Sequence, residues 1–148
     1  MSAVTGGCQC GAVRFAVHGP LGRASICHCR MCQKAFGAFY GPLVSAPGVI
    51  WTRGGPAHFQ SSNRARRGFC QACGTPLTFE PDDGPVEVAI GAFDNPDAIR
   101  PVIQHALDAR ISWLGELDAL PVRSEQEADA VAPYYASIVS RQHPDHDT

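Results

Sequence analysis

The seven cysteines constrain the fold of this chain more than any other feature of its sequence. Cysteines separated by one or two residues can direct both thiolates at one metal ion, and two such pairs provide the four ligands of tetrahedral zinc. The cysteines occur in three groups of this kind, Cys8-x-Cys10, Cys27-x-Cys29-x-x-Cys32 and Cys70-x-x-Cys73. The spacing therefore predicts a chain that is held together by bound zinc.

Other interpretations of the cysteines are buried free thiols, a disulfide framework and thioredoxin-type redox chemistry. The N-terminal residues lack the basic start and apolar stretch of a secretory signal, so we expect a reducing cytoplasmic location, which disfavours disulfides. The odd number of cysteines also argues against a disulfide framework. Redox Cys-x-x-Cys motifs begin a helix in a βαβ unit, a context that the segment after Cys73, Gly74-Thr75-Pro76, does not provide. Zinc binding is the preferred interpretation.

The cysteines divide into a compact set of three and a dispersed set of four. From spacing alone, the compact set can bind one ion locally, which leaves the other two pairs to join across a long loop. These sets are the triad, Cys27, Cys29 and Cys32, and the tetrad, Cys8, Cys10, Cys70 and Cys73. A four-ligand zinc site is closed and structural, whereas a three-ligand site leaves a position for water or substrate. We therefore expect two zinc ions per chain, one structural and one catalytic, although a histidine or carboxylate could close the second site.

Size and charge exclude several classes of protein. The 148 residues are enough for one domain, and the net charge is −2. No segment approaches the ~20 apolar residues of a membrane-spanning helix, so no membrane partner is expected. The charge gives no general electrostatic footprint for nucleic acid, despite the local basic run at 64–67, so nucleic acid is not expected as a main partner. The oligomeric state cannot be predicted.

The pattern of apolar runs and turns is typical of a mainly β protein with short strands. The candidate strands are residues 12–17, 23–27, 36–44, 49–53, 57–61, 76–80 and 86–90. A helix is expected only near the C-terminus, where Ser124-Glu125-Gln126-Glu127 has the form of a capping box and begins a stretch toward Arg141 that Pro133 interrupts or kinks. Residues 143–148 are expected to fray, and their two histidines are given no role.

Three segments around the cysteines resemble the glutathione-dependent formaldehyde-activating family, which also contains centromere-protein-V-like members. They are GGCQCGAVRF at 6–15, CHCRMC at 27–32 with Gly37-Ala38, and FCQACGTPL at 69–77. A closing segment resembles the same family at GAFDNP (91–96), His105, Trp113 and Leu120-Pro121. The resemblance covers residues 5–121. We therefore expect a zinc domain over 1–121, followed by a C-terminal helical extension and frayed tail over 122–148.

The resemblance implies a fold and an activity. The fold is a zinc-stapled β-tent of short antiparallel strands, in which the tetrad holds the structural ion and the triad the catalytic one. The activity is addition of the glutathione thiol to formaldehyde, which gives S-hydroxymethylglutathione and is classed as a carbon–sulfur lyase by its reverse reaction. An open zinc ion can lower the pKa of a coordinated thiol or polarise a carbonyl, and either effect would accelerate this addition.

Glutathione carries two carboxylates, so its binding site should present cations. The basic residues near the cysteine motifs are Arg30, Lys34, Arg64, Arg66 and Arg67. Of these, we assign Arg30, Lys34 and Arg64 to ligand binding. The alternative function is a catalytically silent zinc-binding interaction module, and the open position on the second zinc distinguishes the two hypotheses.

Aromatic and histidine side chains near the motifs carry weaker signals. Trp113 and Phe36 could line an apolar wall, but core packing is the preferred interpretation. His28 lies between two predicted ligands and is expected to point away from the metal. His105 matches a family position and receives no assigned role.

Overall fold

The computed structural model describes residues 2–148, which form ten short strands and two α-helices. The strands are β1 (Val4–Gly7), β2 (Arg14–Val17), β3 (Ala24–Cys27), β4 (Gly41–Ser45), β5 (Val49–Arg53), β6 (Ala57–Gln60), β7 (Ala65–Phe69), β8 (Pro76–Pro81), β9 (Glu87–Ala89) and β10 (Ile103–His105). The helices are α1 (Arg30–Phe36) and α2 (Glu125–Ala136), with 3-10 turns at Ile90–Ala92, Pro96–Ala98, Leu107–Ala109 and Leu114–Ala119. The prediction of a mainly β fold with a short C-terminal helix is confirmed.

The strands form two sheets. The smaller sheet has the order β1-β2-β5, and the larger has the order β10-β3-β4-β9-β8-β7-β6. Neighbouring strands are antiparallel except β10, which runs parallel to β3. An isolated bridge between Gly6 and Phe93 connects the edge strand β1 to the segment that follows β9.

Residues from both sheets form one hydrophobic core. Its fully buried side chains include Phe15 and Val17 of β2, Val44 of β4 and Leu77 of β8. The ring of Phe15 meets Phe93 edge to face, with 5.1 Å between centroids. Gly6 lies directly above this contact, and a Cβ atom there would collide with the Phe15 ring and with a backbone carbonyl. A glycine is therefore required where β1 crosses the contact between Phe15 and Phe93.

The prediction of a strand at 36–44 is wrong in its first half, because Phe36 ends α1, which spans residues 30–36, and residues 37–40 form a turn. The Cys29 sulfur accepts a hydrogen bond from the Cys32 N–H and so caps the helix at its start. Gly37, with φ of 59°, ends it in the left-handed region. A cysteine is not among the usual capping residues, so the sequence carried no ordinary signal for the start of this helix.

Three strands were missed in the sequence, and each has an atypical composition. β1 contains two glycines, β7 contains two arginines and a glycine, and β10 has only three residues. The capping box at Ser124 and Glu127 is confirmed. The helix that it begins continues through Pro133 and ends at Ala136, well short of Arg141.

The C-terminal residues lie against the body of the protein, which differs from the expectation of a frayed tail. The His143 N–H donates to the Gln9 carbonyl at 2.7 Å. Arg14 donates to the His146 carbonyl, and Arg53 donates to a terminal oxygen of Thr148. The division of the chain at residue 121 stays a prediction.

A buried ion pair joins β2 to the segment after β9. The Arg14 guanidinium, whose side chain is 3% exposed, donates to both carboxylate oxygens of Asp94 at 2.9 and 2.7 Å. The Thr5 hydroxyl donates to the same carboxylate at 2.6 Å. The bonds from Arg14 and Thr5, together with the charge of Arg14, outweigh burial and lower the pKa of Asp94.

Asp94→Asn should lower the free energy of unfolding by about 3 kcal/mol at pH 7, because the buried Arg14 loses its counter-charge. The contribution is present above the ordinary carboxyl pKa of about 3.9 and is lost as the pH falls through the lower pKa of folded Asp94. Urea unfolding of the zinc-loaded protein measures the change. Asp83→Asn, which removes an exposed partner of Arg64, is the control and should cost less than about 1 kcal/mol. Equal losses in the two variants would contradict the prediction.

Candidate metal centres and the adjoining cavity

The tetrad gathers cysteines from two loops that lie far apart in the sequence. One pair follows β1 and the other follows β7, and their four sulfur atoms lie within 4.8 Å of one another. The sulfurs of Cys8 and Cys10 are 3.6 Å apart, and those of Cys10 and Cys70 are 3.9 Å apart. Zinc–sulfur bonds of about 2.3 Å in a tetrahedron place sulfurs about 3.8 Å apart. The tetrad therefore fits a zinc ion.

Each loop of the tetrad curls around its cysteines through a glycine. Gly11 and Gly74 have φ values of 81° and 80°, and their N–H groups donate to the carbonyls of Cys8 and Cys70. Such positive φ angles favour glycine. In the second loop, hydrogen bonds involving Thr75 overcome the effect of burial and lower the pKa of Cys73 to about 6. The loop geometry thus favours the thiolate form of Cys73, which metal binding requires, whereas burial raises the pKa of Cys70.

The triad lies at the junction of β3 and α1. Cys27 is the last residue of β3, Cys29 precedes α1, and Cys32 lies in its first turn. Their sulfur atoms also lie within 4.8 Å of one another. Three soft thiolate donors in one cluster suit zinc. The triad therefore fits a second ion.

The thiols of the triad differ in acidity. Burial raises the pKa of Cys32 to about 12, although the hydrogen bond and charge of Arg67 act in the opposite direction. Burial also raises the pKa of Cys27. At Cys29, hydrogen bonds from the Cys32 N–H and the neighbouring thiols outweigh burial and lower the pKa. Without metal, Cys29 is the triad thiol that ionises most readily, as expected beside a helix N-terminus.

The triad has room for a further ligand. Within residues 2–148, no histidine, aspartate, glutamate or additional cysteine places a ligand atom in the cluster formed by the three sulfurs. His28 is fully buried and its Nε2 bonds to Gln104 at 2.9 Å, consistent with the expectation that it points away from the metal. The three thiolates can therefore hold an ion that keeps a coordination position open.

A cavity of about 230 Å³ opens beside the triad. In addition to the three cysteines, its walls include Met31, Arg67, Phe79, Glu87 and His105. Trp113, considered in the sequence as an apolar wall, lies elsewhere, where its ring packs on Phe39 at 4.8 Å between centroids. The cavity can hold a small reactant next to the sulfur atoms.

Arg67 is the charged side chain in closest contact with the triad. Its Nη2 donates to the Cys32 sulfur at 3.4 Å, its Nε donates to the Ser61 hydroxyl, and its guanidinium lies 5.0 Å from the centre of the Phe79 ring. The residue is 8% exposed, and its Nη1 is buried without a partner among residues 2–148. Arg67 also lines the cavity, so its positive charge can stabilise an anionic atom of a ligand there.

The basic residues assigned from the sequence separate into two places. Arg30 and Lys34 line a second cavity of about 410 Å³, which shares Arg67 and Met31 with the triad cavity. Arg64 lies in a different cavity and bonds to Asp82 at 2.7 Å and to Asp83 at 3.2 Å. Arg64 therefore does not join Arg30 and Lys34.

The cation that lies beside the triad is Arg67, which was not among the three residues assigned to ligand binding from the sequence. The relevant signal was the alternation of a strand: in β7, Arg66 faces outward to Glu80, whereas Arg67 faces the interior. Recognising it required knowing that residues 65–67 of the basic run lie in a strand.

The chain belongs to the glutathione-dependent formaldehyde-activating enzyme family, whose sequence model matches residues 3–108. The resemblance inferred from the cysteine motifs is thereby confirmed. The protein is also similar to a Rhodobacter sphaeroides protein whose crystal structure was determined as a structural genomics target. The two chains are 25% identical, with a TM-score of 0.53 over 68% of this chain and 98% of the other. Within residues 2–148, no helix has the length and apolarity needed to cross a membrane.

Serine substitution should divide the cysteines into two classes. Cys70→Ser in the tetrad should abolish stable folding, because structural zinc contributes on the order of 10 kcal/mol. Cys29→Ser in the triad should remain folded with about one zinc ion fewer, because the triad joins only adjacent segments. Thermal unfolding and elemental analysis of both variants measure these effects. Equal loss of stability in the two variants would contradict the division of roles.

Proposed function

We propose that the protein is a zinc-dependent carbon–sulfur lyase that adds a thiol, glutathione in the first instance, to a small aldehyde such as formaldehyde. The observation that carries this proposal is a cluster of three cysteine sulfurs, with no fourth protein ligand from residues 2–148, at the wall of a cavity of about 230 Å³. A zinc ion bound there would favour the thiolate of a substrate or polarise a carbonyl group. A cytoplasmic location accords with this function, since thiols remain reduced there.

Arg67 supports the addition electrostatically. Three thiolates with one bound divalent ion would carry a single net negative charge, which the adjacent guanidinium of Arg67 would offset. During addition, the carbonyl oxygen of the aldehyde gains negative charge, and the positive charge of Arg67, which lines the cavity, can stabilise it. The contacts with Ser61 and Phe79 hold the guanidinium in place before the substrate arrives.

The second cavity provides a place for the rest of the thiol substrate. It adjoins the triad cavity at Arg67 and presents the exposed cations Arg30 and Lys34. Met31 and Phe59, which are 53% and 65% exposed, supply apolar walls. Two cations beside an apolar groove suit a short peptide with two carboxylates, while its sulfur reaches toward the triad.

The proposed activity can be tested by exchange NMR, because glutathione and formaldehyde also combine spontaneously and product formation alone is not diagnostic. Zinc-loaded protein should enlarge the exchange cross-peaks between formaldehyde and its glutathione adduct in proportion to protein concentration. Cys29→Ser, folded by circular dichroism, should return them to the uncatalysed level. Wild-type protein that is indistinguishable from buffer would exclude formaldehyde activation and favour the silent zinc-binding module.

Three exposed basic residues should differ in their effect on glutathione affinity. Arg30→Gln and Lys34→Gln should each raise the dissociation constant about tenfold or more, because a charge-assisted hydrogen bond contributes about 1.5 to 3 kcal/mol. Arg64→Gln is the matched control and should leave it unchanged, since Arg64 is occupied by Asp82 and Asp83. Isothermal titration calorimetry on zinc-loaded protein measures all three. A larger loss of glutathione affinity in Arg64→Gln than in the other two variants would place the ligand in the cavity that Arg64 lines.

A further inference from the structure

Glu87 is the carboxylate in the wall of the triad cavity. It begins β9 and pairs with Phe79 of β8, which in turn pairs with Arg67 of β7. Directly paired residues of neighbouring strands project from the same face of a sheet. Arg67, Phe79 and Glu87 therefore form one row across three strands, and this row faces the cysteines.

The environment of Glu87 is unusual for a carboxylate of this protein. Its side chain is half-buried, yet it makes no hydrogen bond or ion pair with any of residues 2–148. Glu80, one strand away, bonds to Thr78, His58 and Arg66. Burial raises the pKa of Glu87, and the charge of His105 opposes this only in part. A partly buried carboxyl group without a protein partner, in a cavity, is typical of a functional site.

We propose that Glu87 carries the proton from the thiol to the aldehyde oxygen during the addition, an inference that rests on the lyase function proposed above. The row geometry supports this role, because Glu87 and Arg67 flank the space in front of the triad from one face of the sheet. The positive charge of Arg67 stabilises the oxygen as negative charge develops on it, and Glu87 delivers the proton that neutralises it.

The step is balanced without any further reactant. The carboxylate of Glu87 accepts the proton of the thiol, and the sulfur electron pair forms the C–S bond with the aldehyde carbon. The π electrons of the C=O bond move to the oxygen, which then takes the proton from the Glu87 carboxyl group. Glu87 returns to its starting form, and the reverse path cleaves the adduct through the same positions.

The first test compares Glu87→Gln with wild type in the formaldehyde exchange assay. Glutamine keeps the size of the side chain but cannot accept the proton, so the protein-dependent exchange rate should fall about 100-fold. Glu116→Gln, an exposed position away from the cavity, is the matched control and should retain the full rate. Zinc content and circular dichroism establish that each variant is loaded and folded. If wild type catalyses the exchange and Glu87→Gln does so at an undiminished rate, the role of Glu87 is overturned. If wild type itself is inactive, the lyase function is overturned.

The second test is the pH dependence of the protein-dependent rate. Only the carboxylate form accepts the thiol proton, so the wild-type rate should fall as the pH is lowered through the pKa that Glu87 has in the zinc-loaded protein. The other titratable or charged groups facing Glu87 are Cys27, Cys29, Cys32, Arg67 and His105. This fall in rate with decreasing pH should persist in His105→Gln and disappear in Glu87→Gln, with zinc content measured at each pH. If the same fall is seen in Glu87→Gln, the proposal is overturned.

A third measurement does not depend on turnover. In zinc-loaded protein with ¹³C-labelled glutamate carboxyl groups, the signal of Glu87 is the one absent from Glu87→Gln. Glutathione added without aldehyde should shift this signal, because the thiol lies beside the carboxylate, and should leave Glu80 in place. If calorimetry shows that glutathione binds but the Glu87 signal does not shift, the proposal is overturned.

Discussion

The tetrad is the contact on which the arrangement of the remaining elements depends. It joins the β1–β2 loop of the smaller sheet to the β7–β8 loop of the larger one, across about sixty residues of sequence. Strands of three to six residues bury little surface individually and need such a cross-link more than long strands do. The aromatic contact between Phe15 and Phe93 and the ion pair between Arg14 and Asp94 reinforce the same junction.

The tetrad also influences the geometry of the cavity beside the triad, although its sulfurs do not line that cavity. Cys70 directly follows β7, the strand that carries Arg67, and Cys73 lies just before β8, which carries Phe79. The register of this hairpin places Arg67 opposite Phe79, and β9 then places Glu87 next in the row. A zinc ion bound by the tetrad would hold the turn of that hairpin, so the structural site indirectly positions the groups that face the triad.

The sequence was most informative where chemistry depends on spacing and least where it depends on strand register. Both cysteine clusters, the mainly β class and the cap at Ser124 follow from local patterns. Helix α1 was missed because its cap is a cysteine, which also belongs to the triad. Arg67 and Glu87 lie 20 residues apart and meet only through the pairing of three strands. No local motif encodes that pairing, and the position of Arg67 beside the triad could not be predicted from the basic run for the same reason.

The confinement of the triad to one strand–helix junction has a consequence for the life of the protein in a cell. Its ion could leave and return without disturbing the contacts that hold the two sheets together. With the proposed function, the ion of the tetrad would govern how long a molecule survives proteolysis, and the ion of the triad would govern whether that molecule is active at a given moment. Under zinc scarcity, such a chain would persist as an intact but idle pool that resumes work on resupply, without new synthesis.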